Sequence, residues 1–170
     1  ALASEHPGLV PFPLDVTHSE ASARVGAQII AQMGVPDLVV LNAGIGVFKP
    51  ATQFDAGDFR RAMETNAIGI ANTLAPVIAK MVERGSGHIA LMGSLASYRG
   101  FPQAAHYAPS KAAIRSLAEC LRCDLEEHGL DITLINPGYI ETDLTDHIDV
   151  PMPGLMALEP AVDRIMRGLE

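Results

Sequence analysis

His88-Ile89-Ala90-Leu91-Met92-Gly93-Ser94 is an apolar run closed by a glycine and a hydroxyl side chain. A short apolar stretch that does not alternate with polar residues reads as a strand buried on both faces, as strands of a parallel sheet are. Two further strands are predicted, Asp37 to Leu41 before it and Asp131 to Ile135 after it. Between and around them the period changes to that of a helix. Phe59, Met63, Ile70, Leu74 and Met81 recur at helical spacing across residues 56–83, with Pro76 expected to kink the helix. A helix carrying Tyr107 runs to about His128, and a last one starts near Pro160, a good first-turn residue. Thr17-x-x-Glu20 has the form of a capping box opening a helix through about Met33, which Gly34 is placed to end. Val10 to Val16 alternates apolar side chains but holds Pro11 and Pro13, which cannot donate ladder hydrogen bonds, so it is expected as an edge or short strand. Strands alternating with helices predict βαβ units, and hence a single α/β domain over residues 1–170 with a parallel sheet.

Composition narrows the function classes. The 170 residues are 48% hydrophobic and 19% charged, enough apolar material for one domain with a real core. The net charge of −8 is spread along the sequence without a basic stripe, which argues against nucleic acid as a partner. No run of eighteen apolar residues offers a membrane span, and Ala1 to His6 lacks the charged-then-apolar form of a signal peptide, so a cytoplasmic protein is expected. Cys120 and Cys123 form a Cys-x-x-Cys, but they fall within a helical pattern with no strand and turn before them. Two reduced thiols are expected there, and no metal site, because the six His residues are scattered.

The chemistry concentrates behind the strand ends. Ligands of open α/β sheets bind outside the carboxyl ends of the strands, where Ser94 would stand either facing a substrate or capping the next segment. Thirteen residues later comes His106-Tyr107-Ala108-Pro109-Ser110-Lys111. On a helix, residues four apart share a face at roughly 5–6 Å between Cβ atoms, so the Lys111 ammonium can lie beside the Tyr107 phenol. A phenol titrates near 10, and acid/base work near neutrality asks for a drop of about three units, or roughly 4 kcal/mol. A unit charge about 4 Å away supplies about 4 kcal/mol at an effective dielectric of 20, so Lys111 is expected to lower Tyr107 far enough. Asn66 falls on the apolar face of the second helix, where its amide needs partners, either local backbone or a site. Asn42-Ala43-Gly44-Ile45-Gly46 ends a strand but lacks the third glycine of a dinucleotide fingerprint. Pro137-Gly138 reads as a tight turn, and residues 143–158, rich in Met, Pro and Leu, read by themselves as an irregular, buried connection.

With these pieces in this order, the chain resembles the short-chain dehydrogenase/reductase family. The resemblance is carried by Leu14-Asp15-Val16, Leu41-Asn42-Ala43-Gly44, Thr65-Asn66-Ala67-Ile68-Gly69, Gly93-Ser94-Leu95-Ala96-Ser97, Tyr107-x-x-x-Lys111 and Asn136-Pro137-Gly138-Tyr139-Ile140-Glu141-Thr142. It implies a Rossmann-like doubly wound parallel sheet and a cofactor, NAD or NADP. It further implies catalytic roles for Tyr107 as proton donor and acceptor, Ser94 on the substrate oxygen, Lys111 on the phenol and the nicotinamide ribose, and Asn66 at a relay water. Cofactor contacts are implied at Asp15 and Val16 on the adenine side, at Asn42, Ala43 and Gly44, and at Pro137, Gly138, Ile140 and Thr142 on the nicotinamide side. The resemblance also implies that residues 143–158 form a cover over the substrate, and with it Ala96, Tyr98, Phe101 and His106 would line a pocket for a small, partly apolar alcohol or ketone. A homodimer or homotetramer through the helices at 56–83 and 107–128 is the assembly this resemblance implies.

The match also has a gap. The glycine-rich turn that cradles the pyrophosphate, the strands on either side of it and a final strand are absent from this sequence, so the sheet is expected to be incomplete and the chain to be a portion of a longer protein. Two functions follow. One is an oxidoreductase passing hydride between NAD(P)(H) and an alcohol or ketone; the other is a truncated, non-catalytic module that pairs with a partner or a full-length relative.

Overall fold

In the computed structural model, residues 6–146 and 151–170 are described. Three parallel strands lie in the order of the sequence: β1 (Leu38–Leu41), β2 (Gly87–Met92) and β3 (Leu130–Ile135). The register pairs Leu38 with His88 and Leu41 with Leu91 on one side of β2, and Gly87 with Leu130 and Met92 with Ile135 on the other. Helices make the crossovers: α1 (Ser19–Met33) precedes β1, α2 (Ala56–Met63) and α3 (Gly69–Arg84) join β1 to β2, and α4 (Ala108–Leu125) joins β2 to β3. A last helix, α5 (Leu158–Arg167), follows. The α/β class, the three strands and the helical segments expected from periodicity are all present.

The middle strand is the core. Ile89, Ala90 and Leu91 have no exposed surface, and Ile70, Leu74 and Met81 of α3 with Ile114 and Ala118 of α4 pack in the same cluster. That spacing is why these stretches are helical, since each puts one apolar stripe on the sheet. The outer edge of β1 has no strand partner among the described residues, and Leu38 and Val40 stay 40% and 45% exposed there.

Three details depart from the sequence expectations. Val10 to Val16 forms no strand. Pro11 and Pro13 remove two donors, and no neighbouring strand stands beside the segment. The capping box does not form: Thr17 gives both its amide and its hydroxyl to Asp15 Oδ1, at 2.9 and 2.8 Å, so the helix begins after His18, without a side-chain cap. Gly34 does end it, at φ 88°. The helix expected over 56–83 is broken by a π turn at Glu64–Ile68. Pro76 sits inside α3, and α1 meets it at Gly26, where a Cβ would come within 2.6 Å of the ring.

The ladder between β2 and β3 continues beyond the strands. Gly93 N donates to Ile135 O (2.7 Å) and Leu95 N to Pro137 O (3.0 Å), so the loops leaving the two strands run side by side. Truncating the centre of this core, Leu91→Ala, is expected to destabilise the protein by about 2–5 kcal/mol, read as a lower urea midpoint with an unchanged slope.

Candidate active site

Ser94 leaves β2 in extended conformation and caps the 3₁₀ turn Leu95–Ser97, its Oγ accepting from Ala96 N at 3.1 Å. Its position is set from the neighbouring strand. Asn136, one residue past β3, accepts Ser94 N on Oδ1 (3.0 Å) and donates through Nδ2 to Tyr98 Oη (3.1 Å). A side chain on Gly93 would collide with that same Oδ1, which is why glycine precedes the serine.

Tyr107 is the N-cap residue of α4 and Lys111 lies one turn in, 7% and 5% exposed. The Tyr107 carbonyl accepts Lys111 N (3.3 Å), Ser110 N (3.0 Å) and Ser110 Oγ (2.7 Å), which fixes the start of the helix. Lys111 Nζ donates to Met92 O, the end of β2, at 2.9 Å and lies 5.7 Å from the centre of the Tyr107 ring. The one-face expectation for this pair therefore holds.

Its electrostatic consequence differs from the expectation. Burial raises the Tyr107 phenol above its ordinary value near 10, with the adjacent Ser94 hydroxyl opposing the shift, and Lys111 is not among the causes. Burial also lowers the Lys111 ammonium from 10.5 to about 8. Desolvation outweighs attraction in this geometry, because the ammonium is turned to the Met92 carbonyl and both groups have lost water.

Asn66 has no exposed surface and lies on the π turn. Oδ1 accepts Ile45 N (2.7 Å), while Nδ2 donates to Ile45 O (3.0 Å) and to Ser110 Oγ (2.9 Å). One buried network thus joins the loop after β1, the π turn and the first turn of α4. A Cβ on Gly44 would stand 3.2 Å from Asn66 Oδ1 and 3.6 Å from Lys111 Nζ, so this glycine keeps open the space between them.

Two cavities meet at the two hydroxyls. The larger, about 460 Å³, is lined by Asn42, Gly44, Lys111, Ile140 and Thr142 and by the inner face of α5. The smaller, about 280 Å³, is lined by Phe48, Ala96, Phe101, Tyr139, Leu144 and Pro153. Ser94, Tyr107, Pro137 and Gly138 line both. Ala43 is an exposed residue between two lining neighbours. Asp15 and Val16 are outside both linings: Asp15 is held below the usual carboxylate range by the Thr17 amide and hydroxyl, and Val16 O accepts Asn72 Nδ2 at 2.9 Å. Tyr98 is 63% exposed in a separate surface groove, with Arg115 over its ring at 5.3 Å. His106 is fully buried, stacked on Phe54 at 4.7 Å, with Nε2 accepting Asp55 N at 3.1 Å. It ties the start of α2 to the start of α4 and lines neither cavity. Residues 147–150 of the expected cover lie outside the described residues.

Sequence reasoning passed over Phe48, Ser110 and Asn136 as site residues. Asn136 sits beside the Pro-Gly turn, a signal that a side chain there faces the β2 loop; Ser110 and Phe48 give no such sign in one sequence.

The family model for short chain dehydrogenases matches residues 1–151, and the chain belongs to that family. An uncharacterized oxidoreductase of Myxococcus xanthus is 38% identical over 94% of this chain and 63% of its own length. The chain therefore spans less than two thirds of that relative. Among solved structures, a gluconate 5-dehydrogenase from Burkholderia cenocepacia in complex with NADP and tartrate is similar at TM-score 0.75 and 31% identity, over 78% of this chain and 52% of that one. An NAD+-bound xylitol dehydrogenase is similar at TM-score 0.74 and 31% identity, over 77% of this chain and 51% of that one. No helix of the described residues is long and apolar enough to cross a membrane.

A buried ammonium with one carbonyl partner is costly. Lys111→Met is expected to stabilise the fold at pH 7 by about 2–3 kcal/mol. Between about pH 8 and 10.5 the folded protein binds fewer protons at Lys111 than the unfolded chain does, so wild-type stability rises there with pH and the gap closes. Urea titrations of both proteins at pH 7 and pH 10 check this.

Proposed function

We propose that the whole protein is an NAD- or NADP-dependent oxidoreductase of alcohols and ketones, in which Tyr107 exchanges a proton with the substrate oxygen. The observation that carries this reading is the meeting of two cavities at Ser94 and Tyr107, with Lys111 buried behind the phenol. The names of the gluconate and xylitol dehydrogenases place NADP or NAD in related proteins.

The larger cavity suits the nicotinamide end of such a cofactor. Lys111 has three donors and spends one on Met92 O, which leaves N–H groups for sugar hydroxyls in a lining otherwise poor in cations. Gly44 keeps backbone close and side chains away, while Ile140 and Thr142 bring backbone and hydroxyl groups to the far wall. When bound, the cofactor supplies hydride to the carbonyl carbon or takes it back from the alcohol.

The residues of this chain manage the oxygen and its proton. As the carbonyl carbon gains hydride, its π pair moves to oxygen; Ser94 Oγ donates a hydrogen bond to that oxygen and Tyr107 delivers the phenolic proton. The raised phenol keeps its proton until the oxygen becomes basic enough to take it. Lys111, cationic below about pH 8, offsets the phenolate that forms and returns a proton to it. Its own proton comes from solvent through the space that Asn66 and Lys111 share over Gly44, the relay role assigned to Asn66. Alcohol oxidation runs the same steps in reverse.

Tyr107→Phe keeps the ring and removes the proton. In the full-length protein kcat for carbonyl reduction is expected to fall about 10²–10⁴-fold while nucleotide affinity stays within about threefold. Steady-state absorbance of the reduced nucleotide gives the first quantity and calorimetry the second; unchanged turnover would remove the basis of the proposal.

A further inference from the structure

We propose that the substrate is a compact, uncharged, predominantly apolar ketone or secondary alcohol, monocyclic in size, and that Phe48 is the residue that selects it. This inference rests on the proton-transfer role of Tyr107. It adds what the smaller cavity can accept on the far side of the two hydroxyls.

The chamber is a wall of rings. Phe48 stands 5.1 Å from the Tyr107 ring and 6.4 Å from Phe101, and with Ala96, Ala104 and Ala108 these form a cluster separate from the main core. Among the described residues no charged or amide side chain lines it. Four hydroxyls do, on Ser94, Tyr107, Tyr139 and Thr145, and two of these are assigned to the reacting oxygen. The Thr145 hydroxyl is engaged within the chain, donating to Ile140 O at 2.6 Å and accepting Thr142 N at 3.1 Å. A polyol or sugar acid would therefore bury several hydroxyls, or a carboxylate, against carbon and a single remaining phenol. An unpartnered buried hydroxyl weakens binding by about tenfold or more, and a buried carboxylate without a cation by much more. Each methylene moved from water into such a chamber strengthens binding about fourfold. The polyol chemistry in the names of the gluconate and xylitol dehydrogenases is for these reasons not carried over.

Size favours a small substrate. A cavity of about 280 Å³ is at the small end of ligand pockets and suits one ring with a short substituent. Phe48 is the hinge of this selection because its ring touches both the phenol and the opposite wall.

The test uses the full-length protein with each nucleotide. Acetophenone and cyclohexanone are expected to be reduced with kcat/KM at least tenfold above dihydroxyacetone and a 5-keto sugar acid. Phe48→Ala is expected to lower kcat/KM for acetophenone about tenfold or more, mainly through KM, with nucleotide affinity unchanged. Saturation-transfer NMR supplies a second readout free of turnover: acetophenone should receive saturation from wild type and from Tyr107→Phe, and lose most of it in Phe48→Ala. Equal or better use of the hydroxylated ketones, or saturation unaffected at Phe48→Ala, would overturn the inference while leaving the redox reading intact. Absence of turnover with every carbonyl and both nucleotides would instead count against the redox reading, and the saturation experiment would then decide the chamber by itself.

Discussion

Lys111 reaches from the first turn of α4 to the carbonyl of Met92, where β2 ends, and holds a positive charge almost wholly out of water. Little in an α/β core tolerates such a group, and this one costs folding free energy at neutral pH. The surrounding structure makes the placement possible. Gly44 leaves space above the ammonium, the Asn66 network fixes the π turn to α4, and three hydrogen bonds to the Tyr107 carbonyl lock the turn on which phenol and ammonium sit. A buried ammonium at the mouth of a cavity is the kind of perturbed group on which the proposed proton transfer draws.

The same strand end organises the other half of the site. β2 and β3 stay hydrogen-bonded past their ends as far as Leu95 and Pro137, and between these bonds the Asn136 side chain holds Ser94. One hydroxyl is thus placed from the sheet, through the Asn136 side chain, and the other by a helix N-terminus. The two cavities open on either side of these hydroxyls, one lined by Lys111, Asn42 and the aliphatic side chains of Ile45, Ile140 and α5, the other by Phe48 and Phe101.

Much of the fold was legible because its signals are local. The apolar run at 88–92, the period of Ile70, Leu74 and Met81, and Gly34 all report what their own neighbourhood must do, and the strands and helices stand where they predict. Failures occurred where a distant partner or a nearer competitor decides. Thr17 had a capping box to join but found Asp15 two residues away, and Val10 to Val16 had strand-like alternation with nothing beside it. At the site, the Tyr107–Lys111 face was readable from spacing alone, whereas the direction of their pKa values was not, since it depends on how much water the folded chain excludes. The resemblance implied a pocket role for His106; its ring stacks on Phe54, a residue more than fifty positions earlier, and lines neither cavity. Phe48 could be recognised only once α4 brought Tyr107 against it.

The central claim is that a cation sits desolvated behind the phenol, and it can be read from one atom. With ¹³C-labelled lysine, the Cε resonance of Lys111, assigned by its loss in Lys111→Met, should titrate with a midpoint near 8 in the folded protein. A midpoint close to 10.5, the value of a lysine in water, would contradict the account.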